Sequence, residues 1–167
     1  MQYPRLRDDP QHRITSEDDD RYNCVAWVEQ DTKRWWEPDY YWPIASKPAG
    51  DEDLDCYVEL FRSLGFEECG SALSEEGYSK IALYAEDGEF HHVAKQLRSG
   101  RWSSKGGTLQ DFTHGVLAAL EDCPVTPGAT ATVFMRRPDR GELQFEETGL
   151  ILPGDRSRDI PPSPSSN

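Results

Sequence analysis

A β-hairpin signal near the middle of the chain constrains the fold more than any other feature. Residues 80–85 and residues 90–97 are two runs that read as strands, and Asp87-Gly88 stands between them. Asp-Gly is a strong signal for the tight turn of a hairpin. A second turn at Ser99-Gly100 precedes further predicted strands at residues 101–105 and 130–136. The second half of the chain therefore predicts a mostly antiparallel sheet.

Three helices are predicted around this sheet. Asn23 is a good N-cap, and Cys24, Trp27 and Val28 follow at helical spacing, which predicts a short helix over residues 24–30. The other two helices are predicted over residues 51–64 and 108–120, each with an apolar stripe. The order of helix, helix, several strands, helix and strand predicts an α+β fold, with N-terminal helices packed on a mostly antiparallel sheet.

The length of 167 residues favours a single domain with loose ends. Residues 1–21 are polar and end in an acidic run, which predicts an N-terminal arm. Residues 138–167 are rich in proline and serine and predict a flexible C-terminal tail. The α+β domain is therefore assigned to residues 22–137.

The net charge of −13 argues against nucleic acid and anionic membranes as partners, since phosphate groups would be repelled. No run approaches the ~20 apolar residues of a membrane span, and no secretion signal is visible. The four cysteines are widely spaced, and no phosphate loop or dinucleotide fingerprint occurs, so neither a metal nor a cofactor is expected. We expect a cytoplasmic protein with reduced thiols.

Cys24 is the residue that could carry covalent chemistry. A thiol in the first turn of a helix has a lowered pKa, and a nearby histidine could take its proton. His91 and His92 lie on the predicted strand, and the polarity of its two faces favours His92 beside Ser103 and Lys105. The alternative is that Cys24 is a small core residue, since cysteine is among the most buried residue types.

The other polar and aromatic residues have two interpretations. His114 is predicted to be a solvent-exposed residue of the 108–120 helix. Trp35, Trp36 and Trp42 either cover the core beneath a proline-rich loop or, with Asn23 and His91, line a substrate cleft over Cys24.

Seven motifs make the chain resemble a family of uncharacterised bacterial proteins, a domain of unknown function. The resemblance covers about residues 22–137, and the family's activity is unknown. The motifs are Asn23-Cys24-Val25-Ala26-Trp27, Arg34-Trp35-Trp36-Glu37-Pro38, Tyr41-Trp42-Pro43, Lys80-Ile81-Ala82-Leu83-Tyr84, His92-Val93-Ala94-Lys95-Gln96-Leu97, Gly100-Arg101-Trp102-Ser103-Ser104-Lys105 and Asp111-Phe112-Thr113-His114.

More distantly, the order of Cys24, His92 and Ser104 is similar to that of papain-like cysteine hydrolases. That resemblance implies a papain-like fold, Cys24 as nucleophile, His92 as base and Ser104 as the third catalytic residue. The predicted strand register instead favours Ser103 and Lys105 as neighbours of His92, so the third position stays open.

These observations predict a thiol-dependent hydrolase or acyl transferase, such as an amidase, deamidase or peptidase, that acts on a protein or peptide-like amide. The alternative is a non-catalytic protein-interaction module with the same fold. The sequence does not specify the oligomeric state.

Overall fold

The computed structural model describes residues 3–45 and 53–141. Within them the chain forms seven strands, two α-helices and two 3₁₀-helices. The strands are β1 (Arg13–Ile14), β2 (Glu67–Cys69), β3 (Tyr78–Glu86), β4 (Glu89–Gln96), β5 (Trp102–Lys105), β6 (Asp111–His114) and β7 (Thr130–Pro138). The α-helices are α1 (Cys24–Val28) and α2 (Leu54–Ser63), and the 3₁₀-helices are Pro4–Asp8 and Leu117–Leu120.

All seven strands of the described residues join one antiparallel sheet in the order β1-β6-β5-β4-β3-β7-β2. The sheet dominates the fold, because α1 has 5 residues and α2 has 10. The predicted fold class, a papain-like α+β fold with N-terminal helices packed on the sheet, is therefore wrong, because two short helices over one face of a seven-stranded sheet do not make the predicted helical layer.

The third predicted helix, over residues 108–120, is also wrong. Its first half forms β6, which pairs with both β5 and β1, and its end forms only the 3₁₀-helix Leu117–Leu120. Gly115 interrupts the helical pattern, and Phe112 and Thr113 favour strands, so pairing with two neighbours outweighs a weak helical stripe.

The central hairpin is confirmed, because β3 and β4 pair directly across Asp87-Gly88. Asp87 has φ 51° and Gly88 has φ 82°. The type I′ turn that suits a two-residue hairpin requires positive φ at both positions, which explains the Asp-Gly pair.

A β-bulge at His91 sets the direction of the side chains in β4. Tyr84 pairs with His92, whereas Ala85 pairs with Phe90, so His91 is the extra residue. Phe90 consequently lies on the face covered by the helices and stacks on Tyr57, with 4.0 Å between ring centroids. The bulge thus places Phe90 and His92 on opposite faces of the sheet, although only one residue separates them.

Each face of the sheet carries its own core. The helices cover one face, which we call the helix face; its buried residues include Val25, Leu60, Phe61, Ile81, Leu83, Val93 and Met135. The other face, which we call the relay face, is covered by the two 3₁₀-helices. Its buried residues include Tyr3, Leu6, Tyr84, Ala94, Trp102, Phe112 and Leu120.

Part of the predicted N-terminal arm lies against the sheet. Leu6 of the first 3₁₀-helix is buried on the relay face, and β1 pairs with β6. Residues 51–52 of the second predicted helix and residues 142–167 of the predicted tail lie outside the described residues. In the part that is described, no helix is long and apolar enough to cross a membrane.

Candidate active site

Three polar side chains from neighbouring strands meet on the relay face. Lys95 of β4 pairs with Ser103 of β5, and Ser104 pairs with Phe112 of β6. Because side chains alternate along a strand, this register brings His92, Ser104 and His114 to the same face.

These three residues form a chain of hydrogen bonds. Nε2 of His92 lies 2.9 Å from the Ser104 hydroxyl, which lies 2.9 Å from Nε2 of His114. Nδ1 of His114 lies 3.1 Å from the carbonyl oxygen of Val116. All three side chains are buried, with exposed fractions of 6% for His92 and 0% for Ser104 and His114.

Burial keeps both histidines neutral. Loss of solvation, together with a smaller effect of the neighbouring His114, lowers the pKa of His92 to about 3. Burial likewise lowers the pKa of His114 to about 4, although the Val116 carbonyl and Asp9 oppose that shift. At neutral pH each ring therefore carries one proton.

The prediction that His114 is solvent-exposed on a helix is wrong. The residue lies on β6 and is fully buried. The predicted register between β4 and β5 is also wrong by one residue, because Trp102 pairs with Gln96. This shift of one residue brings Ser104, rather than Ser103 and Lys105, to the side of His92.

Cys24 lies at the start of α1, near the place where β4 and β5 separate. The ladder between these strands contains only Lys95–Ser103 and Gln96–Trp102, so it ends before it reaches His92. The Cys24 thiol interacts with the backbone of Val93, the residue after His92. Within the described residues, the His92 ring forms no hydrogen bond to the Cys24 sulfur.

The two ring nitrogens of His92 differ in their hydrogen bonds. The Ser104 bond occupies Nε2, and Nδ1 has no hydrogen-bond partner among the residues that the structure describes. Unlike Nε2 of His91, it is not among the polar atoms sealed from solvent without a partner. It is the nitrogen of His92 that remains available to accept a proton.

The pKa of the Cys24 thiol is raised to about 11, chiefly by burial. The Val93 backbone and the charge of Lys105 oppose this shift. The sequence predicted a lowered pKa from the position at a helix start. That prediction is wrong, because α1 has only 5 residues and loss of solvation outweighs its field.

Tyr3 lies close to both members of the candidate pair. Its ring centroid is 6.3 Å from that of His92. Burial raises the pKa of the Tyr3 hydroxyl, and the nearby Cys24 raises it further. The beginning of the described chain therefore covers the site.

Asn23 has a structural role. Its Oδ1 accepts hydrogen bonds from the backbone N–H groups of Ala26 and Trp36, at 3.1 and 3.2 Å, and its Nδ2 donates to the Trp36 carbonyl at 2.9 Å. The predicted N-cap is confirmed. The side chain also fixes the aromatic loop to the start of α1.

Two of the three tryptophans that have alternative interpretations, Trp36 and Trp42, belong to or pack against the core of the helix face. Trp36 is buried and donates from Nε1 to Asp31, and Trp42 packs edge-on against Tyr57 at 5.2 Å. Trp35 is half-buried. His91 is half-buried at the bulge, and its Nε2 is enclosed without a hydrogen-bond partner in the described part of the chain.

An apolar cavity of about 240 Å³ adjoins the site on the relay face. Tyr3 and Phe112 contribute to its lining, and their rings also neighbour those of His92 and His114, respectively. Sequence reasoning missed this cavity, since its two walls lie far apart in the chain. Among the described residues, no cluster of three or more His, Cys, Asp or Glu could hold a metal ion.

Comparison with known families gives one match. Residues 13–134 match a family described as a domain of unknown function, DUF7689. No curated protein and no solved structure gives a significant match to the chain.

Proposed function

Because the chain belongs to DUF7689, a domain of unknown function, we propose its activity from the site itself. The proposal is a thiol-dependent hydrolase or acyl transferase that acts on a protein or peptide-like amide. Cys24 is the nucleophile and His92 is the general base.

The supporting observation is the state of His92. Nε2 is held by Ser104, and Nδ1 has no hydrogen-bond partner among the described residues. The Cys24 thiol interacts with the backbone of Val93, the residue after His92. A neutral imidazole and a protonated thiol are the starting state for general-base catalysis, in which the proton moves during the attack.

In this mechanism Nδ1 of His92 takes the thiol proton while the sulfur attacks the carbonyl carbon of the amide. The C–N bond then breaks, and the imidazolium returns the proton to the leaving amine. A water molecule, deprotonated by His92, attacks the acyl-enzyme and releases the acid and the free thiol; an amine in place of water gives acyl transfer. The sulfur must come within hydrogen-bond reach of Nδ1 when substrate binds.

The apolar cavity beside the site supports an acyl group with an apolar side chain as the substrate moiety. Its lining includes Leu6, Ile14, Leu109 and Phe112. Apolar walls next to a few polar groups are typical of small-molecule and peptide sites.

A relationship to papain-like hydrolases belongs to this proposal and concerns the reacting residues alone. It rests on the order of Cys24, His92 and Ser104 and on the bond between the last two. The arrangement of the sheet and its two short helices lends it no support.

The experiment is acylation by a p-nitrophenyl ester, followed by intact-mass and peptide mass spectrometry. We expect a single acyl adduct on Cys24, absent from Cys24→Ala, and a loss of ~10²-fold or more in its rate in His92→Gln. Cys56→Ala is the matched control and keeps the adduct. Equal acylation of Cys24 and Cys56, or an unchanged rate in His92→Gln, would contradict the proposal.

One observation favours a second candidate, the non-catalytic protein-interaction module. Burial raises the pKa of the Cys24 thiol to about 11. A raised pKa is typical of a cysteine that serves as a core residue, whereas a reactive cysteine has a lowered pKa. In that case the ester would leave Cys24 unmodified.

A further inference from the structure

The hydrogen-bond chain behind His92 ends at a group that can only accept. The Val116 carbonyl oxygen has no proton to donate, so Nδ1 of His114, 3.1 Å away, must carry one. Because burial lowers the pKa of His114 to about 4, the ring is neutral at pH 7. Its Nε2 is therefore unprotonated.

The direction of the remaining hydrogen bonds follows from this end. Ser104 has one hydroxyl proton, and it lies 2.9 Å from an unprotonated nitrogen of His114, so it donates to that nitrogen. The Ser104 oxygen then accepts from Nε2 of His92, also at 2.9 Å. A neutral His92 that carries its proton on Nε2 has a free lone pair on Nδ1.

We propose that His114 is a positioning residue that acts through Ser104 and holds His92 in the Nε2–H tautomer. The Val116 carbonyl fixes the proton of His114 on Nδ1. The Ser104 hydroxyl then donates to His114, and this fixes the proton of His92 on Nε2. The catalytic meaning of the tautomer rests on the proposed function, since it leaves Nδ1 unprotonated for the thiol proton. The tautomer itself is independent of any reaction.

The acceptor on His114 is what determines the tautomer. Without it, the Ser104 hydroxyl can turn and donate to Nε2 of His92, which moves the imidazole proton to Nδ1. An Nδ1–H ring cannot accept a proton at that atom. Glutamine at position 114 offers a carbonyl oxygen at a similar reach, whereas methionine has a similar length without a strong acceptor.

The test is ¹H–¹⁵N correlation spectroscopy of the imidazole rings in the full-length protein at pH 7. The His92 signals are assigned by their loss in His92→Gln. In the wild type we expect a protonated Nε2 and an unprotonated Nδ1. His114→Gln keeps this pattern, and His114→Met shifts His92 to a majority of the Nδ1–H form. Backbone amide spectra check that each variant is folded.

An Nδ1–H tautomer of His92 in the wild type overturns the proposal, and this outcome does not depend on any variant folding. An Nε2–H pattern that persists in folded His114→Met also overturns it. The ester experiment separates the two proposals. The expected tautomer without Cys24 acylation refutes the proposed function alone. Acylation with an Nδ1–H His92 refutes the relay and the role of Nδ1 as proton acceptor, and leaves the thiol-dependent activity standing.

Discussion

The Ser104 hydroxyl lies 2.9 Å from Nε2 of His92, although the backbone ladder between their strands ends before it reaches either residue. This side-chain bond therefore joins β4 and β5 where they separate. It also occupies Nε2, so that Nδ1 is the ring nitrogen without a hydrogen-bond partner in the described part of the chain. Ser104 therefore both joins the two strands and orients the ring of His92.

Ser104→Ala should lower both stability and acylation. The change leaves Nε2 of His92 and Nε2 of His114 buried without their partner, which costs about 1–3 kcal/mol in the free energy of unfolding. The lost hydrogen bond contributes about 1.4 kcal/mol, which corresponds to a factor of ~10 in rate. We therefore expect the acylation of Cys24 to be slower by that factor or more. Urea denaturation and the ester assay measure the two effects.

Ser103→Ala is the matched control on the opposite face of β5. Ser103 accepts a hydrogen bond from Nε1 of Trp27 at 2.9 Å, so its loss should lower stability by about 0.5–1.5 kcal/mol. It should leave the acylation rate of Cys24 within twofold. Equal losses of acylation in the two variants would contradict a specific role for Ser104.

The stability of the protein should fall as the pH drops below 6.5, in part because of His92 and His114. Their pKa values are lowered from 6.5 to about 3 and about 4, so between these values the unfolded chain binds protons that the folded protein does not. Each histidine therefore contributes up to about 1.4 kcal/mol of lost stability per pH unit. The loss from a given histidine is complete once the pH is below its folded pKa.

The measurement is urea denaturation at pH 7, 6, 5 and 4.5. His114→Gln removes one of the two groups, so its free energy of unfolding should fall less steeply than that of the wild type, by up to about 1.4 kcal/mol per pH unit. Ser103→Ala introduces no titrating group and should keep the wild-type slope. A wild-type slope in His114→Gln would show that His114 is not buried in its neutral form.

Local signals predicted the parts of the fold that depend on neighbouring residues. Asp87-Gly88 requires a conformation that few dipeptides adopt, so the β3–β4 hairpin was predicted correctly. Asn23 was predicted to cap α1 because a short polar side chain suits that position. Both features are set within a few residues of sequence.

Distant partners determined the parts that were predicted wrongly. β6 is a strand because β5 and β1 pair with its two edges, and Arg13–Ile14 is far from it in the chain. The bulge at His91 and the one-residue shift between β4 and β5 are changes of register that the alternation of side chains cannot reveal. The fold class was wrong for the same reason.

In the candidate site, too, the wrong predictions concerned partners elsewhere in the chain. The order of motifs in the chain suggested Ser104, whereas the predicted register suggested Ser103 and Lys105. The observed register brings Ser104 to His92. His114 was missed because it was assigned to a helix, although two histidines flanking a serine-bearing strand were a signal that it could join the site.

The rate of alkylation of Cys24 should increase with the fraction of thiolate, which is set by a thiol pKa of about 11. Because the thiolate is the reactive form, we expect the rate with iodoacetamide to rise about tenfold per unit between pH 8 and pH 10, without a plateau in that range. The measurement is the mass shift of the peptide that contains Cys24, with Cys24→Ala as the blank. A plateau near pH 7 would instead indicate a thiolate–imidazolium pair and contradict the effect of burial.

Asn23→Ala should be the most destabilising of the single cap substitutions. Its side chain accepts from two buried N–H groups, those of Ala26 and Trp36, and also donates to the Trp36 carbonyl. Loss of the cap and of these partners should lower the free energy of unfolding by about 2–4 kcal/mol, measured by urea denaturation. Asp53→Ala is the matched control, because Asp53 caps α2 through an exposed bond to the N–H of Asp55 and a long 4.0 Å contact with the Cys56 thiol, and should cost about 1 kcal/mol or less. Equal losses in the two variants would mean that Asn23 acts as an ordinary cap and does not fix the aromatic loop to the start of α1.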